Sequence, residues 1–171
     1  MLVVCAVAAL LVPAAWAQPP EPKPGPEHEH LKKLEGTWDA TIKFMGGESK
    51  GTMTYKMDLG GFWLLSNFQA DFGGQKFQGR GADGYDPIKK KFVGAWIDSM
   101  SPSLMVSEGT LDKSGKVLTM TGEGPGMDGK MTKMKMVSEM KDDDNVIFTM
   151  SSPGKDGKDQ VMMTITYKRR R

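Results

Sequence analysis

From Gly36 onward, apolar and polar residues alternate with a period of two, and each alternating run ends in residues that favour turns. Successive side chains of a strand point to opposite faces, so the pattern predicts half-buried strands; helical spacing is absent from this stretch. The first run puts Trp38, Ala40, Ile42 and Phe44 on one face and Thr37, Asp39, Thr41 and Lys43 on the other, and it stops at Gly46-Gly47. Met53, Tyr55 and Met57 share the inward face of the second run. Gly60-Gly61 leads into a third with Phe62, Leu64, Ser66, Phe68, Ala70 and Phe72 inward, and after Gly73-Gly74 a glycine-rich run extends from Phe77 to Tyr85. The turn at Asp86-Pro87 feeds Phe92, Gly94, Trp96 and Asp98. Further strands are predicted over about residues 104–111, 117–122, 131–140, 146–150 and 161–167.

About ten short strands with short connections define an all-β fold, expected to be a single antiparallel up-and-down barrel. A two-layer sandwich is the alternative, and closure is preferred because it removes the exposed edges of a long flat sheet. A short helical segment is expected before the first strand, within Glu27 to Leu34, with Leu31 and Leu34 on one side. Residues 18–30 read as a proline-rich linker, since proline removes backbone donors and holds an extended chain. Before it, Leu2 to Ala15 is almost continuously apolar and ends in Ala15-Trp16-Ala17. That small-x-small site predicts a signal peptide over residues 1–17 and an exported protein, periplasmic or secreted, with its barrel domain over 31–171. The run is shorter than the roughly 20 residues a spanning helix needs, so no transmembrane anchor is expected after cleavage.

Charge and composition narrow the chemistry. Lys and Arg number 23 against 21 Asp and Glu, and lysines alternate with acidic and neutral residues, so no nucleic-acid surface is expected. Much of the basic excess lies in the terminal run Lys168 to Arg171. The one cysteine, Cys5, falls in the signal segment, which leaves the mature chain without a disulfide or a thiolate metal site. His28 and His30 both precede the predicted domain, which disfavours a Ser-His-Asp arrangement on rigid strands. Among 15 methionines, Met127, Met131, Met134, Met136 and Met140 have spacings that Cu(I) accepts, with His28 and His30 as an adjunct. Met134, Met136 and Met140 nevertheless share a strand face opposite Lys133, Lys135 and Glu139, the pattern of core-filling thioethers. No metal and no cofactor is expected.

Leu31-x-x-Leu34-x-Gly36-x-Trp38 resembles the first-strand Gly-x-Trp signature of the calycins, which include lipocalins, fatty-acid-binding proteins and nitrobindin-like barrels. Gly84-Tyr85-Asp86-Pro87, then Lys90-Lys91-Phe92-Val93-Gly94-x-Trp96-x-Asp98-Ser99-Met100 and Leu118-Thr119-Met120-x-Gly122-Glu123-Gly124, resemble an exported bacterial family, domain-of-unknown-function family 1579. The resemblance covers roughly Leu31 to Lys168 and implies a calycin-like barrel in which Trp38 packs across one end. Nitrobindin-like barrels bind haem through a histidine near the chain's end, and this sequence has none there.

A barrel of this size encloses a small hydrophobic or amphipathic ligand or fills itself with side chains. The candidate ligand-binding residues are Trp38, Tyr55, Phe68, Tyr85, Phe92, Trp96, Asp98, Ser99 and Glu123, the rings as cavity walls and the polar groups as orienting contacts. Arg80 and Glu108 are further polar positions of interest, because an inward charge must find a partner or a ligand. No catalytic residue is assigned, and a binding module is preferred to an enzyme. An enzyme acting on a small lipid-like substrate through Asp98 or Glu123 is one alternative, and a structural or interaction protein of the cell envelope is another.

Overall fold

The computed structural model describes residues 21–126, 129–154 and 156–171. The predicted signal peptide and the first residues of the predicted linker lie outside them. A helix, α1 (Pro26–Lys32), precedes ten strands: β1 (Gly36–Phe44), β2 (Gly47–Asp58), β3 (Trp63–Phe72), β4 (Gln75–Asp86), β5 (Lys91–Asp98), β6 (Ser101–Leu111), β7 (Val117–Pro125), β8 (Met131–Asp142), β9 (Asn145–Pro153) and β10 (Asp159–Arg169). Each strand pairs with the next, and β1 pairs with β10 from Trp38↔Arg169 to Phe44↔Met163, which closes the barrel. The period-two pattern thus produces the closed antiparallel wall it predicts. The strands run longer than several of the apolar runs. β6, for instance, starts at Ser101 because that residue already pairs with Asp98.

Turn chemistry sets the registers. Gly73 and Gly74 take φ of 67° and 97°, the left-handed pair that a tight hairpin between β3 and β4 needs. Inside the wall, Trp38, Ala40, Ile42, Met53, Phe68, Met140, Val146, Ile165 and Tyr167 form one buried cluster, and Leu31, Leu64, Phe92, Leu118, Met120 and Met136 form another. Outside, the charges pair at the surface, as Lys135 does with Asp159 at 3.0 Å, and such exposed pairs contribute little.

Helix α1 covers one end of the barrel. Its Leu31 is buried against Leu64 and Phe92, and His28 and His30 are buried as well, so the last part of the predicted linker belongs to the folded cap. The cap is fastened through Trp38, whose indole N–H donates to the Leu34 carbonyl at 2.8 Å. The Arg169 guanidinium lies 4.1 Å over the Trp38 ring and donates to the carbonyls of Lys33 and Glu35, each at 2.6 Å, and of Asp143 at 2.9 Å. The terminal basic run is therefore partly structural: Arg169 ties together the helix exit, the β8–β9 turn and the last strand. Among the described residues no helix is long and apolar enough to cross a membrane.

Candidate functional site

The end opposite α1 is formed by the β1–β2, β3–β4, β5–β6, β7–β8 and β9–β10 connections. A recess of about 1100 Å³ lies there, bordered by Phe44, Gly47, Gly126, Thr132, Ser152 and Val161. It is an open mouth, whose acid Glu48 is held below the usual carboxylate range by its hydrogen bond from Lys50.

Trp96 lies inside the wall, flat against the inner faces of Gly79 and Gly81, and its indole N–H donates to the Asp98 carboxylate at 3.0 Å. The other Asp98 oxygen accepts from the backbone of Met100 at 2.9 Å and Ser101 at 3.0 Å. Asp98 is thus fully occupied in closing the β5–β6 turn. Adjacent Ser99 is exposed and accepts from the Gln78 N–H at 3.0 Å. A methyl group on Gly79 would overlap the Trp96 ring. Gly79→Ala is therefore expected to lose about 1–3 kcal/mol in urea unfolding and to alter the near-ultraviolet dichroism, because overpacking forces the indole off its seat. An unchanged midpoint and spectrum would contradict this seating.

The remaining predicted residues do not converge on one site. Tyr55 and Phe68 point into the barrel, and Phe68 stacks edge-on against Phe77 and Tyr167. Tyr85 and Phe92 sit under the cap, in edge contact with each other and with His28 and His30 respectively. The Tyr85 hydroxyl donates to Glu27 of α1, so it fastens the cap; burial, then Glu27, raises its pKa. Glu123 is exposed on the outer wall, beside Leu104, Val106, Met131 and Lys133. Arg80 is exposed, and Glu108 pairs with Lys89 and Lys91 at the surface. Asp98 and Glu123 consequently share no cleft. In the methionine run Met134, Met136 and Met140 are buried core atoms, Met131 is exposed, and Met127 lies outside the described residues. No group of three or more His, Cys, Asp or Glu side chains suited to a metal ion gathers among the described residues.

Sequence reading passed over the group with the most unusual environment. Asp83 shares the inward parity of Phe77, Gly79, Gly81 and Tyr85, and it stands between Leu64 of β3 and Gly94 of β5. Its carboxylate lies over the inner face of Gly94, on which the Ser107 hydroxyl of β6 also borders. Burial raises its pKa to about 7. Tyr55 of β2 and Tyr167 of β10 are held well above the usual tyrosine value, chiefly by burial, and Tyr55 also senses Tyr167 and Asp83. The signal available in the sequence was the parity itself: an acid on the glycine-lined face of β4.

Only three side-chain polar atoms among the described residues are both sealed and unpaired: His28 Nε2, His30 Nδ1 and Asn67 Oδ1. The Asp83 carboxylate and the hydroxyls of Tyr55, Tyr167, Ser66 and Ser107 make no side-chain hydrogen bond among the described residues either. Since they are not sealed, they border space of at least water size. Tyr55, Trp96, Met105, Phe148 and Met150 are inward yet only partly buried, which agrees with a wall that is not packed solid.

The cap is polar at two points. His28 Nδ1 accepts from the Gly25 N–H at 3.0 Å, leaving its protonated Nε2 against the edges of Phe62 and Tyr85. His30 hydrogen-bonds the Gly115 backbone, and burial holds its pKa below the ordinary histidine value.

A closed antiparallel ten-stranded wall, a helical cap and a buried Gly36-x-Trp38 tryptophan define a calycin-like barrel. The chain belongs to the family described as "Protein of unknown function (DUF1579)", whose profile matches residues 23–169 and so takes in the cap helix with both histidines. Among solved structures it is similar to Rv2717c from M. tuberculosis, with a TM-score of 0.62 and 14% identity over 86% of this chain and 99% of that one. It is also similar to a redesigned beta barrel, mFAP0, bound to DFHBI, with a TM-score of 0.42 and 19% identity over 80% of this chain and 99% of that one. The first likeness shows the fold alone. No curated protein matches the chain.

Proposed function

We propose that the barrel is a non-catalytic carrier or receptor that holds one small, largely apolar molecule in its interior. The observation that carries this reading is the set of inward polar groups, Asp83, Tyr55, Tyr167, Ser66 and Ser107, that border space and bond to no side chain within a wall of rings and thioethers. Natural interiors satisfy their buried polar atoms, and a site that leaves several open has capacity for a ligand's polar end while the apolar surface takes the body. The apolar run ending in Ala15-Trp16-Ala17 supports export, so the ligand is one met outside the cytoplasm.

Two measurements test it together. Native mass spectrometry of the protein purified from its own source is expected to show a non-covalent adduct that denaturing spectra lack. Ser107→Leu is expected to fill the space, remove the adduct and change stability by less than about 1 kcal/mol, whereas a solid interior would lose about 1–3 kcal/mol to overpacking. An unladen chain combined with a strongly destabilised Ser107→Leu would refute the reading.

A further inference from the structure

We propose that the interior selects an organic cation, an apolar body bearing one primary or secondary ammonium group, whose nitrogen pairs with the carboxylate of Asp83. This rests on the interior-binding reading and specifies the ligand class for the same site.

Asp83 is an acid built into the middle of three paired strands, with β3 and β5 on either side, so it cannot swing out to solvent without breaking the wall. The groups around it are Leu64 of β3, Gly94 of β5 and Ser107 of β6, with Tyr55 of β2 within electrostatic reach. The cap contributes Leu31 to this end, while His28 and His30 turn toward Tyr85 and Phe92. None of the facing groups is a cation. By alternation, the lysines and arginines of the described strands point outward or stand at the rim, where Lys91 meets Glu108 and Arg169 covers Trp38. Asp83 forms no ion pair and no side-chain hydrogen bond among the described residues. A buried carboxylate is ordinarily paired, because an isolated charge in an apolar medium is costly. Here the missing partner has to come from outside the chain, and the oxygens border the space in which it would sit.

The surroundings fit an ammonium better than a metal or a neutral group. A hard metal ion needs several charged or nitrogen donors, and no group of three or more His, Cys, Asp or Glu side chains gathers among the described residues. The Tyr55 hydroxyl lies within electrostatic reach of the carboxylate, and its oxygen suits an organic cation through its acceptor lone pairs. Binding a cation also favours the ionised acid, so cation binding and proton loss from Asp83 are linked. A neutral carbonyl ligand would need the opposite, an acid that keeps its proton to donate.

The test compares 2-phenylethylamine with 2-phenylethanol, and octylamine with octanol, by calorimetric titration of the full chain. At about pH 8 the amine of each pair is expected to bind at least tenfold more tightly than the alcohol. Below the titration of Asp83 that preference should fall, by up to about tenfold for each pH unit. Asp83→Asn should lower amine affinity to that of the alcohol and leave the alcohol unchanged. Amine and alcohol binding equally, or an amine preference that survives Asp83→Asn, overturns the cation assignment while leaving interior binding intact. Failure of all four compounds to bind overturns the cation assignment, while the interior-binding reading falls only to an unladen native mass spectrum together with a strongly destabilised Ser107→Leu. Carbon-13 resonances of the Asp83 carboxyl give an independent check: saturating amine should move its titration to lower pH, and an unmoved titration is a second refutation.

Discussion

Asparagine in place of Asp83 is expected to make the ligand-free protein more stable at about pH 8 and to leave its stability unchanged at about pH 3. In the unfolded chain an aspartate ionises near 3.8, and in the barrel burial raises that value to about 7. Between those limits the folded state keeps a proton that the unfolded state has lost. Wild-type stability therefore falls as pH rises through this window, by about 1.4 kcal/mol per unit, and levels off above the folded value. The whole interval corresponds to at most about 4 kcal/mol, less wherever water in the interior solvates the carboxylate. Asparagine does not ionise, so its curve lacks this descent. Urea unfolding of both proteins from about pH 3 to pH 9 checks the prediction. Parallel curves, or a variant weaker than wild type at high pH, would mean that the carboxylate has a stabilising partner within the fold. A residue that lowers stability at neutral pH without serving the packing is the kind retained for function.

Trp38→Ala is expected to cost about 3–5 kcal/mol and to loosen the cap as well as the barrel end. Trp38 is fully buried, with 0% exposure, so truncating it opens a hole in the core. It also anchors Leu34 through its indole N–H and carries the Arg169 guanidinium on its face. Trp38→Phe keeps most of the volume and removes the hydrogen bond, so it should lose about 1–2 kcal/mol, the difference measuring volume against bond. Denaturant unfolding gives both values, and amide exchange at Leu31 and Leu34 shows whether the helix is released together with the core. Equal losses for the two variants would mean that the bond, rather than packing, holds the cap.

The strands, their order and the closed barrel were readable from the chain because they rest on short-range rules. Alternation of Trp38, Ala40, Ile42 and Phe44 assigns an inner face, and pairs such as Gly73-Gly74 reverse the chain tightly enough for neighbours to join. Trp38 as a buried closing residue was equally legible through Gly36-x-Trp38. What alternation cannot report is depth or partner. Trp96, Asp98 and Ser99 lie close in sequence, yet the bulge between Trp96 and Asp98 and the turn after it leave the first ring inside, the carboxylate in the turn and the hydroxyl in water. Glu123 belongs to the outer wall, opposite in parity to Leu118, Met120 and Gly124 of its own strand.

His28, His30 and Arg169 show the same limit from the other direction. By position they look like linker and tail, but the ring closure of β1 onto β10 brings the helix exit and the last strand together, so the cap and that strand meet across Trp38. The sequence by itself determined a barrel with an aromatic and thioether interior, since local periodicity dictates which side of a strand is dry. Only the tertiary structure decided that Asp83 stands inside without a counter-charge, because its environment is assembled from β2, β3, β5 and β6, elements whose facing residues no local pattern can juxtapose.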